Sequence, residues 1–316
     1  MNNYLGVDIG GTNVCFGVVT ENGEFLYENT FKTTEFESAE DLAESIQQHL
    51  KKNCKHQFTG IGIGAPSVNE TNQSMEFAPN ISWGEIVPLN EIFAAKFNLP
   101  IRVINDANAA AIGEKVFGEA TDQNNFAVIT LGTGIGLGLY IDNKIYLGSN
   151  GLAGELGHTI VRRDGRECKC GNFGCLETYV AKDGIVKTAK EKLEFSSGGS
   201  VLNNISPSNL TPIEIMKAAR KEDPVALEII QTVTRDLAFG ISQLVNILDL
   251  ECIYLSGGIT KSGNLLKRKT EKHLKSYILP NMRDKLNLRI STLNEINGGI
   301  LGAVATIHES LVPVSI

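Results

Sequence analysis

No stretch of this chain approaches the roughly 18 consecutive apolar residues that a membrane-spanning helix needs. Its opening, Met-Asn-Asn-Tyr, has no basic segment ahead of an apolar run of the kind that marks a secretory leader. A cytoplasmic protein with no membrane partner is expected. Basic clusters are equally scarce: the longest run of Lys and Arg is Lys267-Arg268-Lys269, and the formal charge is −7. Phosphate backbones are held by concentrated positive charge, so no nucleic-acid partner is expected. Six cysteines in 316 residues are too few for a disulfide scaffold, and Cys15, Cys54 and Cys252 are scattered in apolar surroundings. The GxxxxGK[ST] pattern of phosphate-loop NTPases is missing. A GxGxxG pattern occurs only in distorted form at Gly132 to Gly138, and a strand follows it where a dinucleotide-binding unit needs a helix. What remains is a chain with 42% hydrophobic and 21% charged residues, long enough for two packed domains and suited to a small ligand.

Strands alternate with helices along the chain, which predicts an α/β protein with central strands flanked by helices. Tyr4 to Asp8 reads as a strand that enters Gly10-Gly11-Thr12 and returns as Val14 to Val19 before a turn at Asn22-Gly23. Ser38 is an N-cap for a helix whose Leu42, Ile46 and Leu50 share one face. A strand near Ile61 to Ile63, an irregular stretch to Pro88, a helix from Asn90 to Phe97 and a strand from Ile101 to Ile104 come next. The opening pattern then recurs as Val128 to Leu131, Gly132-Thr133-Gly134 and Gly136 to Ile141, with a turn at Asp142-Asn143, which suggests two related domains facing each other. Thr211-Pro212 and Asp223-Pro224 read as N-cap and N1 pairs, the second opening a helix to about Leu248. The strand Ile253 to Leu255 ends at Ser256-Gly257-Gly258, and a last helix follows Gly298-Gly299. Ser196 to Asn209, rich in Ser, Gly and Asn, reads as an exposed loop. The expected division is a smaller α/β domain over 1–117, with a C-terminal helix of about 300–316 packing back onto it, and a larger α/β domain over 118–299.

Glycines directly after a strand let backbone N–H groups approach phosphate oxygens, because no Cβ intervenes and positive φ costs little. Gly10, Gly11 and Thr12, and again Gly132, Thr133 and Gly134, have this form, with the threonine hydroxyls as further donors; a plain tight turn is the alternative reading of each. Asp8, two positions before the first glycines, suits Mg²⁺ held mostly through water beside phosphates. Asp106 follows a strand and precedes an alanine-rich helix, the place where parallel sheets bind ligands. A carboxylate there can orient an attacking hydroxyl and accept its proton, or it can merely cap the helix.

His158, Cys168, Cys170 and Cys175 supply an imidazole and three sulfurs, enough to close a tetrahedral Zn²⁺ site that is structural because no position is left for water. Gly171 and Gly174 let the loop fold on itself; a redox or chance thiol cluster is the competing reading. Glu155 and Glu177 flank the cluster and suit vicinal sugar hydroxyls, although acidic residues near such loops are commonly solvated surface.

These residues together resemble the ROK-family sugar kinases, and within them the bacterial glucokinases. The matching segments are DIGGT at Asp8 to Thr12, INDANAAAIGE at Ile104 to Glu114, LGTGIGLGL at Leu131 to Leu139, GELGH at Gly154 to His158, CKCGNFGCLE at Cys168 to Glu177 and SGG at Ser256 to Gly258. The resemblance implies an actin-like ATPase fold (ribonuclease H-like), with two domains around a central cleft that closes on a sugar, and a homodimer. It implies ATP-dependent transfer to a hexose, glucose above others, with Asp106 as catalytic base. Gly64, Asn80, Asn105, Asp106, Glu155, His158 and Glu177 are then sugar-binding, and Asp8, Gly10, Gly11, Thr12, Gly132, Thr133, Gly134, Gly257 and Gly258 serve ATP and Mg²⁺. Many relatives continue Pro-Gly where this chain has Pro66-Ser67, a departure that bears on the sugar pocket and so on the choice of hexose. Fructose, mannose, N-acetylglucosamine and N-acetylmannosamine are alternative acceptors, and polyphosphate an alternative donor. A sugar-sensing ROK regulator is the rival of another class; it needs a DNA-binding module ahead of the first phosphate loop, for which Asp8 leaves no room.

Overall fold

The run Asn3–Ile9 (β1) is apolar at nearly every position and buried along most of its length, as a strand covered on both faces must be. In the computed structural model, which describes residues 2–195 and 199–311, β1 turns through Gly10–Thr12 into β2 (Asn13–Thr20), antiparallel with Asp8 opposite Cys15. An edge strand β3 (Phe25–Lys32) follows. The helix α1 (Ala39–Asn53) starts where expected: Ser38 Oγ accepts from Asp41 N at 3.2 Å, and Leu42, Ile46 and Leu50 are buried. Next come β4 (Ile61–Ala65), a small three-stranded sheet of β5 (Val68–Asn69), β6 (Ser74–Glu76) and β7 (Ile86–Val87), then α2 (Leu89–Phe97), β8 (Ile101–Asn105) and α3 (Asp106–Phe117). The first large sheet has the order β3-β2-β1-β4-β8, with β1, β4 and β8 parallel.

The second sheet repeats this plan. Strands β9 (Phe126–Leu131) and β10 (Ile135–Ile141) form the hairpin, and β11 (Lys144–Ile145) is the short edge strand. Asp142 and Asn143, both at positive φ (49° and 59°), make the predicted turn. Helices α4 (Glu177–Val180), α5 (Lys182–Phe195), α6 (Pro212–Arg220) and α7 (Pro224–Leu248) precede β12 (Cys252–Ser256), α8 (Leu265–Leu274) and β13 (Asn287–Ile290). The order is β11-β10-β9-β12-β13, with β9, β12 and β13 parallel. Thr211 and Asp223 cap α6 and α7 as read from the sequence. The expected exposed loop is only partly that: Ser196–Gly198 lie outside the described residues, while Val201–Asn204 form a 3-10 turn with Leu202 buried, fastened by Asp223, which accepts from Ser200 Oγ and Val201 N.

The last helix, α9 (Gly298–Leu311), lies on β1 and β4 and against α3; residues 312–316 of the expected 300–316 helix lie outside the described ones. Two compact units result. One comprises residues up to Gln123, Ile145–Ala153 and the chain from Glu295; the other comprises Asn124–Lys144 and Gly154–Asn294. In this grouping residues 118–123 and the short segment Ile145–Ala153 go with the first unit. Each unit has its own core, around Val7, Phe16, Ile46 and Phe93 in the first and Ile129, Ile230, Leu237 and Ile253 in the second.

Glycines in the sheet set how closely α9 approaches. A methyl on Gly62 would sit 1.7 Å from the Ala303 carbonyl oxygen, and one on Gly6 would sit 2.5 Å from that of Ile300. Backbone stands in the way at both positions, so relief requires moving the helix. Gly62→Ala is expected to lower stability by about 3 kcal/mol or more, read as a drop in the denaturation midpoint; an unchanged midpoint would mean that α9 is not seated this closely.

Candidate active site and metal centre

In the first unit the strand register brings three residues together. Asp8 on β1 is paired with Gly64 on β4, and Gly64 with Ile104 on β8, so the carboxyl ends of three parallel strands are aligned. A Cβ placed on Gly64 would lie 3.9 Å from both Asp8 Oδ1 and the Asp106 Cα. The helix α3 starts at Asp106, but its cap is Asn105, whose Oδ1 accepts from the N–H groups of Ala107 (2.9 Å) and Asn108 (3.4 Å). Asp106 therefore leads the helix with an exposed carboxylate that accepts from Ala107 N at 2.8 Å. Gly11 meets Asn80: a methyl there would be 2.8 Å from the Asn80 Cβ. Ser67 sits at φ 51°, a conformation that favours glycine.

The sequence gives no sign that Gly299 belongs here. Its missing side chain leaves room for the Asp8 carboxylate, whose Oδ2 would be 2.0 Å from an added Cβ. Burial, and then the nearby charge of Asp106, push the Asp8 carboxyl up to about 7. Both causes act in one direction, and a bound cation would oppose both, so this position fits the Mg²⁺ expected from sequence. The sign for stability follows. The unfolded Asp8 ionises near the ordinary value of 3.8 and the folded one near 7, so stability falls as pH rises through this window and stays reduced above it. Without metal or nucleotide, Asp8→Asn is expected to be more stable than the parent by about 2 kcal/mol or more at pH 8, with the gap closing below pH 4. Thermal melts of the two proteins at several pH values check this.

In the second unit, β9 and β12 end side by side, with Ser256 paired to Thr130. The turn Gly132–Gly134 is closed by Gly132 N donating to Gly134 O at 3.1 Å. Gly257 is at φ 91°, and a methyl there would be 2.5 Å from the Leu131 carbonyl oxygen. Thr133, Gly134 and Gly258 are exposed. Asn294, also missed by sequence reasoning, pins the second loop: its Oδ1 accepts from Ser256 Oγ (2.8 Å) and Gly257 N (3.0 Å).

The same unit gathers His158, Cys168, Cys170 and Cys175, with one ligand atom from each within 4.8 Å of all the others. The loop is drawn in by Cys168 N to Asn172 O (2.9 Å), Gly171 N to Cys168 O (3.0 Å) and Gly174 N to Arg166 O (2.8 Å), with Gly171 and Gly174 at φ 91° and 81°. The Cys168 Sγ lies 3.6 Å from His158 Nδ1, and those of Cys170 and Cys175 are 3.6 Å apart. Burial pushes the Cys168 and Cys175 thiols up, whereas the Asn172 backbone holds Cys170 down, to about 7. Three sulfurs gathered with an imidazole, the two buried ones at a cost to their ionisation, fit a closed zinc site. The other ring nitrogen, Nε2, faces Glu155 Oε2 at 3.8 Å, and Glu177 Oε1 is 3.2 Å from Cys168 Sγ. A methyl on Gly134 would be 3.3 Å from Glu177 Oε2, so a glycine turn and the thiol loop adjoin. Behind the loop, the Arg162 and Arg166 guanidiniums pack on the Tyr179 ring, and Arg162 forms a two-pronged ion pair with Asp236.

Residues 4–310 match the ROK family. A glucokinase from Halalkalibacterium halodurans is 34% identical over 308 residues, 95% of this chain and 93% of its own. The structure of a ROK family glucokinase from Streptomyces griseus in complex with glucose and AMPPNP is similar with a TM-score of 0.83, at 32% identity, over 96% of this chain and 98% of that one. A xylose repressor from Caldicellulosiruptor bescii is 29% identical over 97% of this chain and 78% of its own.

Proposed function

The chain belongs to the ROK family, and from that premise we propose that it is an ATP-dependent hexose kinase whose acceptor is the 6-hydroxyl of glucose. Its fold is the actin-like ATPase fold of the ROK sugar kinases. The observation that carries the proposal is the meeting of Asp8, Gly64 and Asp106 at three aligned strand ends, which sets an exposed carboxylate beside one suited to a cation.

In this reading Asp106 orients the 6-hydroxyl and accepts its proton as the new bond from that oxygen to the γ-phosphorus forms. The bond between the γ-phosphorus and the β–γ bridging oxygen breaks, ADP leaves, and the proton passes from Asp106 to solvent. Asp8 would hold Mg²⁺, mostly through water, and the bound ion supplies positive charge to the phosphates. Phosphate oxygens would be received by the N–H groups of Gly10, Gly11, Gly132, Gly134, Gly257 and Gly258, with Thr12 and Thr133 adding hydroxyl donors. Gly64, Asn80, Asn105, Glu155, His158 and Glu177 are the proposed sugar contacts, as the family resemblance implies. Zinc would be held by His158 Nδ1 and the three cysteines as a structural ion, leaving His158 Nε2 for a hydroxyl. The same reading takes the enzyme as cytoplasmic and homodimeric.

The test is sugar-dependent ADP release with ATP and Mg²⁺ across glucose, fructose, mannose, N-acetylglucosamine and N-acetylmannosamine, repeated with polyphosphate as donor. Glucose with ATP is expected to show the highest kcat/KM, by about tenfold or more over hexoses that misplace a hydroxyl against a polar contact. Sugar binding without ADP release would instead favour a sensing role like that named for the repressor relative.

A further inference from the structure

Asp106 directly follows a strand at the edge of its sheet, because β8 is the last strand in the order and pairs with β4. The outer edge of β8 is met by side chains at alternate residues. The Ile101 carbonyl oxygen accepts from Asn90 Nδ2 (3.1 Å), Val103 N donates to Gln73 Oε1 (3.0 Å), and Asn105 N donates to Glu70 Oε1 in a long contact of 3.5 Å. Glu70 and Gln73 both come from the turn between β5 and β6. That turn is itself braced, since Asn69 Oδ1 accepts from Thr71 N and Asn72 Oδ1 accepts from Ser74 N and Oγ.

Glu70 does more than cover an edge. The oxygen that receives Asn105 N also accepts from Asn108 Nδ2 at 2.8 Å, inside the protein: Glu70 is 7% exposed and Asn108 5%. Asn105 and Asn108 lie on either side of Asp106, one as the helix cap and the other in the first turn of α3. One carboxyl oxygen therefore ties together the strand end and the helix start between which Asp106 sits. The other, Oε2, is buried without a hydrogen-bond partner. Burial raises the Glu70 pKa, with the Asn108 hydrogen bond acting against it. A buried, half-satisfied carboxyl is costly, yet removing it would leave the buried Asn108 amide and the Asn105 N–H without this acceptor.

We propose that Glu70 is a positioning residue for phosphoryl transfer, which through Asn105 and Asn108 fixes the first turn of α3 and so the aim of Asp106 at the acceptor hydroxyl. The proposal rests on the reading of Asp106 as the base. It is tested by steady-state kinetics with glucose and ATP on Glu70→Ala, Glu70→Gln, Asp106→Asn and the Glu70→Ala/Asp106→Asn double variant. Ile46→Ala, which empties part of the α1 core, serves as a control for lost stability alone. Glu70→Ala is expected to lower kcat roughly 10- to 100-fold, the effect of misaiming a reacting group, with the KM for glucose changed no more than about threefold. Glu70→Gln, whose amide oxygen still accepts from Asn108, recovers most of kcat. Ile46→Ala keeps its kcat, and in the Asp106→Asn background Glu70→Ala costs little more, because there is no base left to aim.

A kcat near the parent's in Glu70→Ala, the same further loss in the Asp106→Asn background, or an equal kcat loss in Ile46→Ala would each overturn the proposal. If Glu70→Ala does not fold, Glu70→Asp, too short to reach Asn108, is read by the same criteria. Should Asp106→Asn keep full turnover, the reading of the base fails and takes this inference with it. Should Asp106→Asn lose turnover while Glu70→Ala keeps it, only the role of Glu70 is lost.

Discussion

Asp106→Asn is expected to lower kcat with glucose and ATP by roughly a hundredfold or more while leaving glucose affinity within a few-fold of the parent's. The substitution keeps the shape of the side chain and an oxygen that can accept from Ala107 N, as the carboxylate does at 2.8 Å. The helix start is not put at risk, because the cap is Asn105 and not Asp106. What disappears is the ability to take up a proton as the hydroxyl oxygen bonds to phosphorus, so the loss falls on the transition state and leaves ground-state binding nearly intact. Kinetics together with calorimetric titration of glucose separate the two; an unchanged kcat would remove Asp106 from the reaction.

Disrupting the thiol cluster is expected to have an effect of similar size through binding. Cys175→Ser should reduce bound zinc well below one per chain and lower kcat/KM for glucose by roughly a hundredfold or more. The cluster and the proposed sugar contacts share atoms and neighbours: His158 Nδ1 is 3.6 Å from Cys168 Sγ, and Glu177 Oε1 is 3.2 Å from that sulfur. Without a cation the buried thiols hold their protons, since burial pushes both Cys168 and Cys175 up, and the loop is then held beside His158 by its backbone hydrogen bonds alone. Elemental analysis and kinetics on the same preparations check the link. Full activity in a protein free of zinc would separate the cluster from sugar recognition.

The parts of this molecule legible in the sequence are those set by local chemistry. Ser38 before the Leu42, Ile46, Leu50 face marked α1, and Asp223-Pro224 marked the start of α7, because capping and helical periodicity act over a few residues. The four metal-fitting residues are adjacent enough in sequence for their spacing to speak for itself. Other elements left weaker traces. The edge strand β3 alternates only loosely, β13 has four residues with Leu288 alone buried, and β5 to β7 were read as an irregular stretch because two or three residues carry no periodicity. The least legible features depend on tertiary approach. Gly299 faces Asp8 from nearly three hundred residues away, Asn294 pins Gly257, and Glu70 reaches Asn105 and Asn108 across the small sheet. For Asp106 the sequence left base and cap open; the structure gives the cap to its neighbour.

The most direct test of the account is to incubate the purified protein with ATP, Mg²⁺ and glucose and to identify the product by phosphorus NMR. The account predicts ADP and a phosphate monoester on the 6-oxygen of glucose in equal amounts. Inorganic phosphate with unaltered glucose, or no ATP consumed at all, would contradict it.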